Sequence, residues 1–130
     1  MRVPGQVLIV EDSENCASTL EIALLGIPGV SVLLAESGVE ALRILRSEGG
    51  GIRAVVTDLN MPRMDGYELV RRIRADPNLS AMPVVVVSAD ADPDLPARLR
   101  EAGVNAFFTK PYSPAQVREK VEQLLNATLD

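Results

Sequence analysis

The chain has 130 residues, 47% of them hydrophobic and 24% charged, and carries a formal net charge of −5. This is the composition of one soluble domain with a real core, and its sign disfavours non-specific binding to nucleic acid or anionic membrane. A single cysteine, Cys16, excludes an intrachain disulfide, and the absence of histidine removes the commonest general base and nitrogen metal ligand. A metal here would need oxygen ligands, which means Mg or Ca chemistry rather than Zn. With two Phe, two Tyr and no Trp, no stacking platform for single strands is evident.

In chain order, Val7-Leu8-Ile9-Val10 predicts a buried strand (6–10) that stops at Glu11-Asp12. The run is too short for a signal peptide or a membrane span, so a cytoplasmic protein is expected. Cys16, Leu20, Ala23, Leu24 and Ile27 then follow helical spacing (13–26), with Gly26 as the C-terminal cap. A second strand covers 30–35. Ser37-Gly38-Val39-Glu40 has the form of a capping box and opens a helix at 37–48, with Ala41, Leu42 and Leu45 facing inward. Gly49-Gly50-Gly51 has no Gly-Lys-Ser/Thr ending and reads as a loop rather than a phosphate cradle.

The third strand, 53–57, runs into Asp58, and Pro62 bars its continuation. Asp65 to Glu68 repeats the capping pattern for a helix at 65–75, with Leu69, Val70 and Ile73 inside and Arg71, Arg72 and Arg74 on a solvated outer face. A fourth strand (83–87) ends at Ser88. A short helix (94–102) follows, tolerating Pro96 only in its first turn. The fifth strand (106–109) ends at Lys110-Pro111, and Ser113-Pro114-Ala115-Gln116 caps a last helix at 113–127. Five strand–helix repeats without a composition break predict one α/β domain over 1–130. The expected fold is flavodoxin-like and doubly wound, (βα)5, with a parallel sheet in the order 2-1-3-4-5.

That order gathers the carboxyl ends of strands one, three, four and five, and with them Glu11, Asp12, Asp58, Ser88 and Lys110. Each residue alone has a plainer explanation. Asp58 and Ser88 suit turns, Glu11 and Asp12 suit a helix start, and Lys110 suits any surface. Their coincidence at successive strand ends is harder to explain that way. Three crowded carboxylates repel one another and invite a hard cation, and the Lys110 ammonium could meet a phosphoryl oxygen as a point charge. Phosphoryl transfer needs mainly positioning and charge stabilisation, so such a site works without a histidine base.

Val10-Glu11-Asp12, Asp58-Leu59-Asn60-Met61-Pro62 with Asp65-Gly66, Ser88-Ala89 and Lys110-Pro111 together resemble the receiver domain of two-component response regulators, in a single-domain, chemotaxis-type arrangement. The resemblance covers essentially the whole chain. It implies that Asp58 is the phosphoacceptor, that Asp12 binds Mg2+ directly and Glu11 through water, and that Asn60 adds its backbone carbonyl. It also implies that Ser88 and Lys110 grip the phosphoryl group and that Phe107 is the switch aromatic. The implied donor is a sensor histidine kinase or phosphotransfer protein. The implied downstream partner is a protein on the face of helix four, strand five and helix five, with no direct nucleic-acid or membrane partner. Self-phosphorylation and autodephosphorylation at Asp58 would be its only chemistry. Glu11-Asp12 stands where Asp-Asp is common, Phe107 carries no phenolic hydroxyl, and Pro96 makes the fourth helix unusual for the family. The chain ends just after the fifth predicted helix, which suits a stand-alone receiver and the receiver of a longer protein alike.

The resemblance also places a sharp turn at Lys110-Pro111, where proline lowers the cost of a cis bond to about 0.5–1 kcal/mol, so a cis peptide is expected. Two other classes compete. A haloacid-dehalogenase-type phosphotransferase or phosphatase also uses an aspartyl phosphate, but it needs a second Asp where Asn60 stands and a nucleophile after the first strand. A flavodoxin-like cofactor binder needs a phosphate loop where Glu11-Asp12 would repel phosphate.

Overall fold

The computed structural model describes residues 5–48 and 51–127. The expected order is found: β1 (Gly5–Val10), α1 (Glu14–Leu25), β2 (Val30–Ala35), α2 (Gly38–Glu48), β3 (Ile52–Asp58), α3 (Gly66–Ala75), β4 (Val84–Ser88), α4 (Leu95–Glu101), β5 (Ala106–Thr109) and α5 (Pro114–Ala127). Most bounds fall within one residue of the sequence expectation. Asp58 and Ser88 are the last residues of their strands rather than the first beyond them. Gly49 and Gly50 of the predicted glycine loop lie outside the described residues.

All five strands are parallel, in the order β2-β1-β3-β4-β5. Alternate residues of each strand point to opposite faces, and here both faces are covered. Leu8, Val10, Val55, Val84 and Val86 join one core with α2, α3 and α4 residues such as Leu45, Leu69 and Leu99. Val7, Ile9, Ala54, Val56, Val85 and Val87 join the other with Leu20, Leu24, Val117, Val121 and Leu125 of α1 and α5. This is why β1, β3 and β4 read as unbroken apolar runs rather than alternating ones. Each fully buried Val or Leu contributes about 1.5–3 kcal/mol of transfer free energy. At the sheet's edge, β2 leaves Ser31 and Leu34 exposed.

Side chains cap α1, α2, α3 and α5, and at α1 the cap is Ser13 rather than Glu11 or Asp12. Ser13, Ser37, Asp65 and Ser113 each accept the backbone N–H three residues on, at 3.4, 3.1, 2.8 and 3.3 Å. The reciprocal half of the α2 box is displaced, because Glu40 accepts from the N–H of Glu36 rather than Ser37. Gly26 caps α1 in a right-handed conformation, and Gly29 supplies the positive φ of the following turn. The Lys110-Pro111 peptide is cis, as expected.

One expectation fails. Arg74 does not project outward with Arg71 and Arg72. It is half-buried, and its guanidinium donates to the carbonyls of Gly103 (2.6 Å), Met82 (2.6 Å) and Ser80 (3.0 Å) and to Asn105 Oδ1 (3.1 Å). The physical reason is position and reach. Arg74 lies one helical turn beyond buried Val70, so its stem starts beside the inner stripe. Its planar fork then satisfies carbonyls of the α3–β4 and α4–β5 connections. Burial without a carboxylate holds its pKa below the usual arginine range.

Candidate functional site

The sheet's carboxyl edge assembles the site, because parallel strands end together there. Asp58 closes β3 and is only 6% exposed. Its backbone carbonyl accepts from Thr57 Oγ1 at 2.9 Å, and its Oδ1 accepts from the Asn60 N–H at 3.3 Å. The chain then turns so tightly into α3 that the Gly66 N–H donates to Leu59 O at 2.8 Å. A Cβ at position 66 would collide with the Asp58 carbonyl oxygen and lie 2.8 Å from Leu59 Cα, so glycine alone fits.

Glu11, directly after β1, is 4% exposed, whereas Asp12 faces solvent. Glu11, Asp12 and Asp58 each offer a carboxylate oxygen, and these oxygens lie within 4.8 Å of one another. Lys110 Nζ enters from the end of β5 and donates to Glu11 Oε1 at 3.1 Å and Asp58 Oδ2 at 3.3 Å. Burial pushes the Glu11 carboxyl above its usual range, and the Asp58 charge adds to this while Lys110 opposes it. For Lys110, burial works to lower the pKa. The Glu11 hydrogen bond and the Asp58 and Glu11 charges outweigh it, so the ammonium is held above its ordinary value.

Ser88, fully buried at the end of β4, accepts from the Asp90 N–H at 3.0 Å and from Asn60 Nδ2 at 3.3 Å. Both of its lone-pair positions are thus engaged, and the hydroxyl hydrogen is the group left for a new acceptor. Beyond it, Asp90 and Asp92 side chains accept the N–H groups of Asp92 and Asp94, tying the loop that leads to α4. Phe107 on β5 is half-buried, packed on the core beneath α4 and lining a groove with Pro96, Leu99 and Arg100.

The structure therefore brings Glu11, Asp12, Asp58, Asn60, Ser88 and Lys110 together, and sets Phe107 on the neighbouring strand. Two further neighbours escaped sequence reasoning. Cys16 Sγ lies 3.9 Å from Lys110 Nζ, and Tyr112 is half-buried beside them, its hydroxyl pKa raised first by burial. Their signals were available: Cys16 stands one helical turn after Asp12, and Tyr112 two residues after Lys110. Tyr67 also receives Arg98 over its ring at 5.5 Å, linking α3 to α4.

A family model described as the response regulator receiver domain matches residues 7–122. The chain belongs to that family. This receiver domain is 33% identical over 120 residues to the chemotaxis protein CheY homolog of Campylobacter jejuni, spanning 92% of each chain. Among solved structures it resembles a putative response regulator from Chloroflexus aurantiacus, with a TM-score of 0.85, 32% identity, and coverage of 95% of this chain and 98% of that one. It also resembles the phosphorylated cyanobacterial phytochrome response regulator RcpA, with a TM-score of 0.80, 28% identity, and coverage of 98% and 97%. In the described residues of this receiver domain, no helix is long and apolar enough to cross a membrane.

Proposed function

We propose that residues 1–130 act as one cytoplasmic phosphoacceptor unit in two-component signalling, with Asp58 as the residue modified. The observation that carries this is the set of three carboxylates within 4.8 Å, two of them bonded to one ammonium. A site so charged rejects an anionic substrate unless a cation is added. All the donors are oxygens, which suits Mg2+. Asp12, Asp58 and the Asn60 backbone carbonyl would hold it, with Glu11 acting through water. When bound, it would neutralise the carboxylates and the incoming phosphoryl oxygens.

The step itself is a displacement. An Asp58 carboxylate oxygen attacks phosphorus, and the bond from phosphorus to the donor's leaving group breaks, with a phosphohistidine imidazole or acetate departing. Lys110 meets one phosphoryl oxygen as a point charge, and Ser88 donates its hydroxyl hydrogen to another. The donor is a sensor histidine kinase or a phosphotransfer protein. The output is altered binding of a protein on the α4–β5–α5 face, with Ser88 and Phe107 as the switch. The similarity to a phosphorylated response regulator supports the same reading. The dehalogenase-type alternative is disfavoured, because the position it needs for an acid–base Asp is Asn60, whose amide donates to Ser88.

The test is intact-mass analysis after incubation with acetyl phosphate and Mg2+. One phosphoryl group should appear on the native chain and be absent from Asp58→Asn or after chelation. Equal labelling of Asp58→Asn would overturn the assignment.

A further inference from the structure

On the α2–α3 face, lined by none of the carboxylate-site residues, lies an open groove of about 560 Å³. Its apolar walls are exposed Val39 of α2 and half-buried Met64 from the loop before α3, over the buried Leu42, and its rim carries Arg43, Arg46 and Arg72. Three features set it apart from ordinary surface. Val39 is 55% exposed, although it occupies the first turn of an otherwise amphipathic helix. Gly38 lets Met64 lie directly against the start of α2, since a Cβ there would meet Met64 Cγ, Sδ and O at 3.0 Å. And among the described residues lining the groove there is no Asp or Glu, on a chain whose formal charge is −5.

The three arginines have carboxylate neighbours outside the groove. Arg43 lies 3.8 Å from Glu40, Arg46 3.6 Å from Asp76, and Arg72 2.9 Å from Glu68. All three arginine side chains are more than half exposed. Exposed pairs of this kind are worth only about 0–1 kcal/mol each, so the guanidiniums can exchange partners at little cost. A stripe of apolar side chains edged by cations is complementary to an apolar stripe edged by carboxylates.

We propose that the α2–α3 groove docks an acidic amphipathic helix of a partner protein, its apolar side chains against Val39 and Met64 and its carboxylates on Arg43, Arg46 and Arg72. The chemistry of the two stripes fits that occupant better than a second copy, which would bring the same arginines to the same groove. This docking does not depend on phosphoryl transfer at Asp58.

The probe is a synthetic helical peptide of about 16 residues with Leu along one face and Glu flanking it. Its counterpart has Lys in place of every Glu. Titration against the isotope-labelled chain should give saturable shifts centred on Val39 and Met64 with the Glu peptide. Affinity should fall about tenfold between roughly 50 and 300 mM salt. Val39→Asp should weaken binding at least about tenfold, and Arg43→Gln with Arg72→Gln should do the same while flattening the salt dependence. Because these side chains are largely exposed, the variants should keep the native fold, checked by their spectra. Absence of saturation up to about 1 mM peptide, or equal binding of the Lys peptide, would overturn the proposal. So would a concentration-dependent dimer dissolved by Val39→Asp, which would assign the groove to a second copy.

Discussion

Glu11→Gln is the sharpest perturbation of the site, because it removes one charge while keeping the shape. Glu11 is nearly buried, its oxygen lies within 4.8 Å of an Asp58 oxygen, and it accepts from Lys110 at 3.1 Å. With an effective dielectric constant of about 20, the repulsion from Asp58 is at least about 3.5 kcal/mol and the attraction to Lys110 about 5 kcal/mol. These two oppose one another, so the desolvation of the Glu11 carboxylate decides the sign. Desolvation is also the leading cause of its raised pKa. The glutamine oxygen can keep either Lys110 or the Ser13 N–H as donor, but not both. The expected outcome is a metal-free variant more stable than the native chain by about 1–2 kcal/mol at pH 7, or roughly 3–8 °C in Tm. The pH dependence follows from the direction of the shift. With a folded pKa above the ordinary 4.5, both states are protonated below about 4.5 and the two proteins should be equally stable there. As pH rises through the folded pKa, the native chain loses stability that the variant keeps. Urea denaturation across pH 3.5–7.5 in chelator measures this. A variant less stable at pH 7, or an advantage that persists unchanged at low pH, would refute the reasoning.

Lys110→Met should cost about 1–2 kcal/mol in metal-free protein at neutral pH, since it strands two buried carboxylates. Because the Lys110 pKa is raised, that difference should hold through pH 9 and fade only as pH rises through a value above 10.5; a gain in stability at pH 7 would contradict it. Arg74→Met should lose about 2–3 kcal/mol in urea denaturation, because three carbonyls lose a charged donor. Arg72→Met, as the control, should stay within about 0.5 kcal/mol, and equal effects for the pair would sink the distinction. Ser88→Ala should abolish any change in the Phe107 rotamer and exposure between free and beryllofluoride-bound protein, read by side-chain NMR. An unaltered Phe107 in the native chain would remove it from the switch.

Local patterns made the fold legible because the main forces are local or periodic. Short Val- and Ile-rich runs bounded by turn residues fit strands covered on both faces, and Ser37, Asp65 and Ser113, each three residues before a Glu or Gln, fit helix caps. The candidate site was legible for a related reason. In a parallel sheet the strand ends converge, so locating the strands located Glu11, Asp12, Asp58, Ser88 and Lys110 as well. Arg74 was misread because its acceptors lie 6–31 residues further along the chain, in two separate connections. Composition says that arginine is exposed, and only the 74-to-70 spacing hinted otherwise. The proximity of Cys16 to Lys110 was invisible for the same reason, since 94 residues separate them.

The central claim is that Asp58, rather than any other carboxylate of the cluster, carries the phosphoryl group. Borohydride reduces an aspartyl phosphate to homoserine and a glutamyl phosphate to 2-amino-5-hydroxypentanoic acid, so peptide mapping after treatment with acetyl phosphate and Mg2+ identifies the residue directly. Homoserine at position 58, with Glu11 and Asp12 left unreduced, is the predicted result. Homoserine at position 12, 2-amino-5-hydroxypentanoic acid at position 11, or no reduced residue anywhere in a chain whose mass shows a phosphoryl group, would contradict the account.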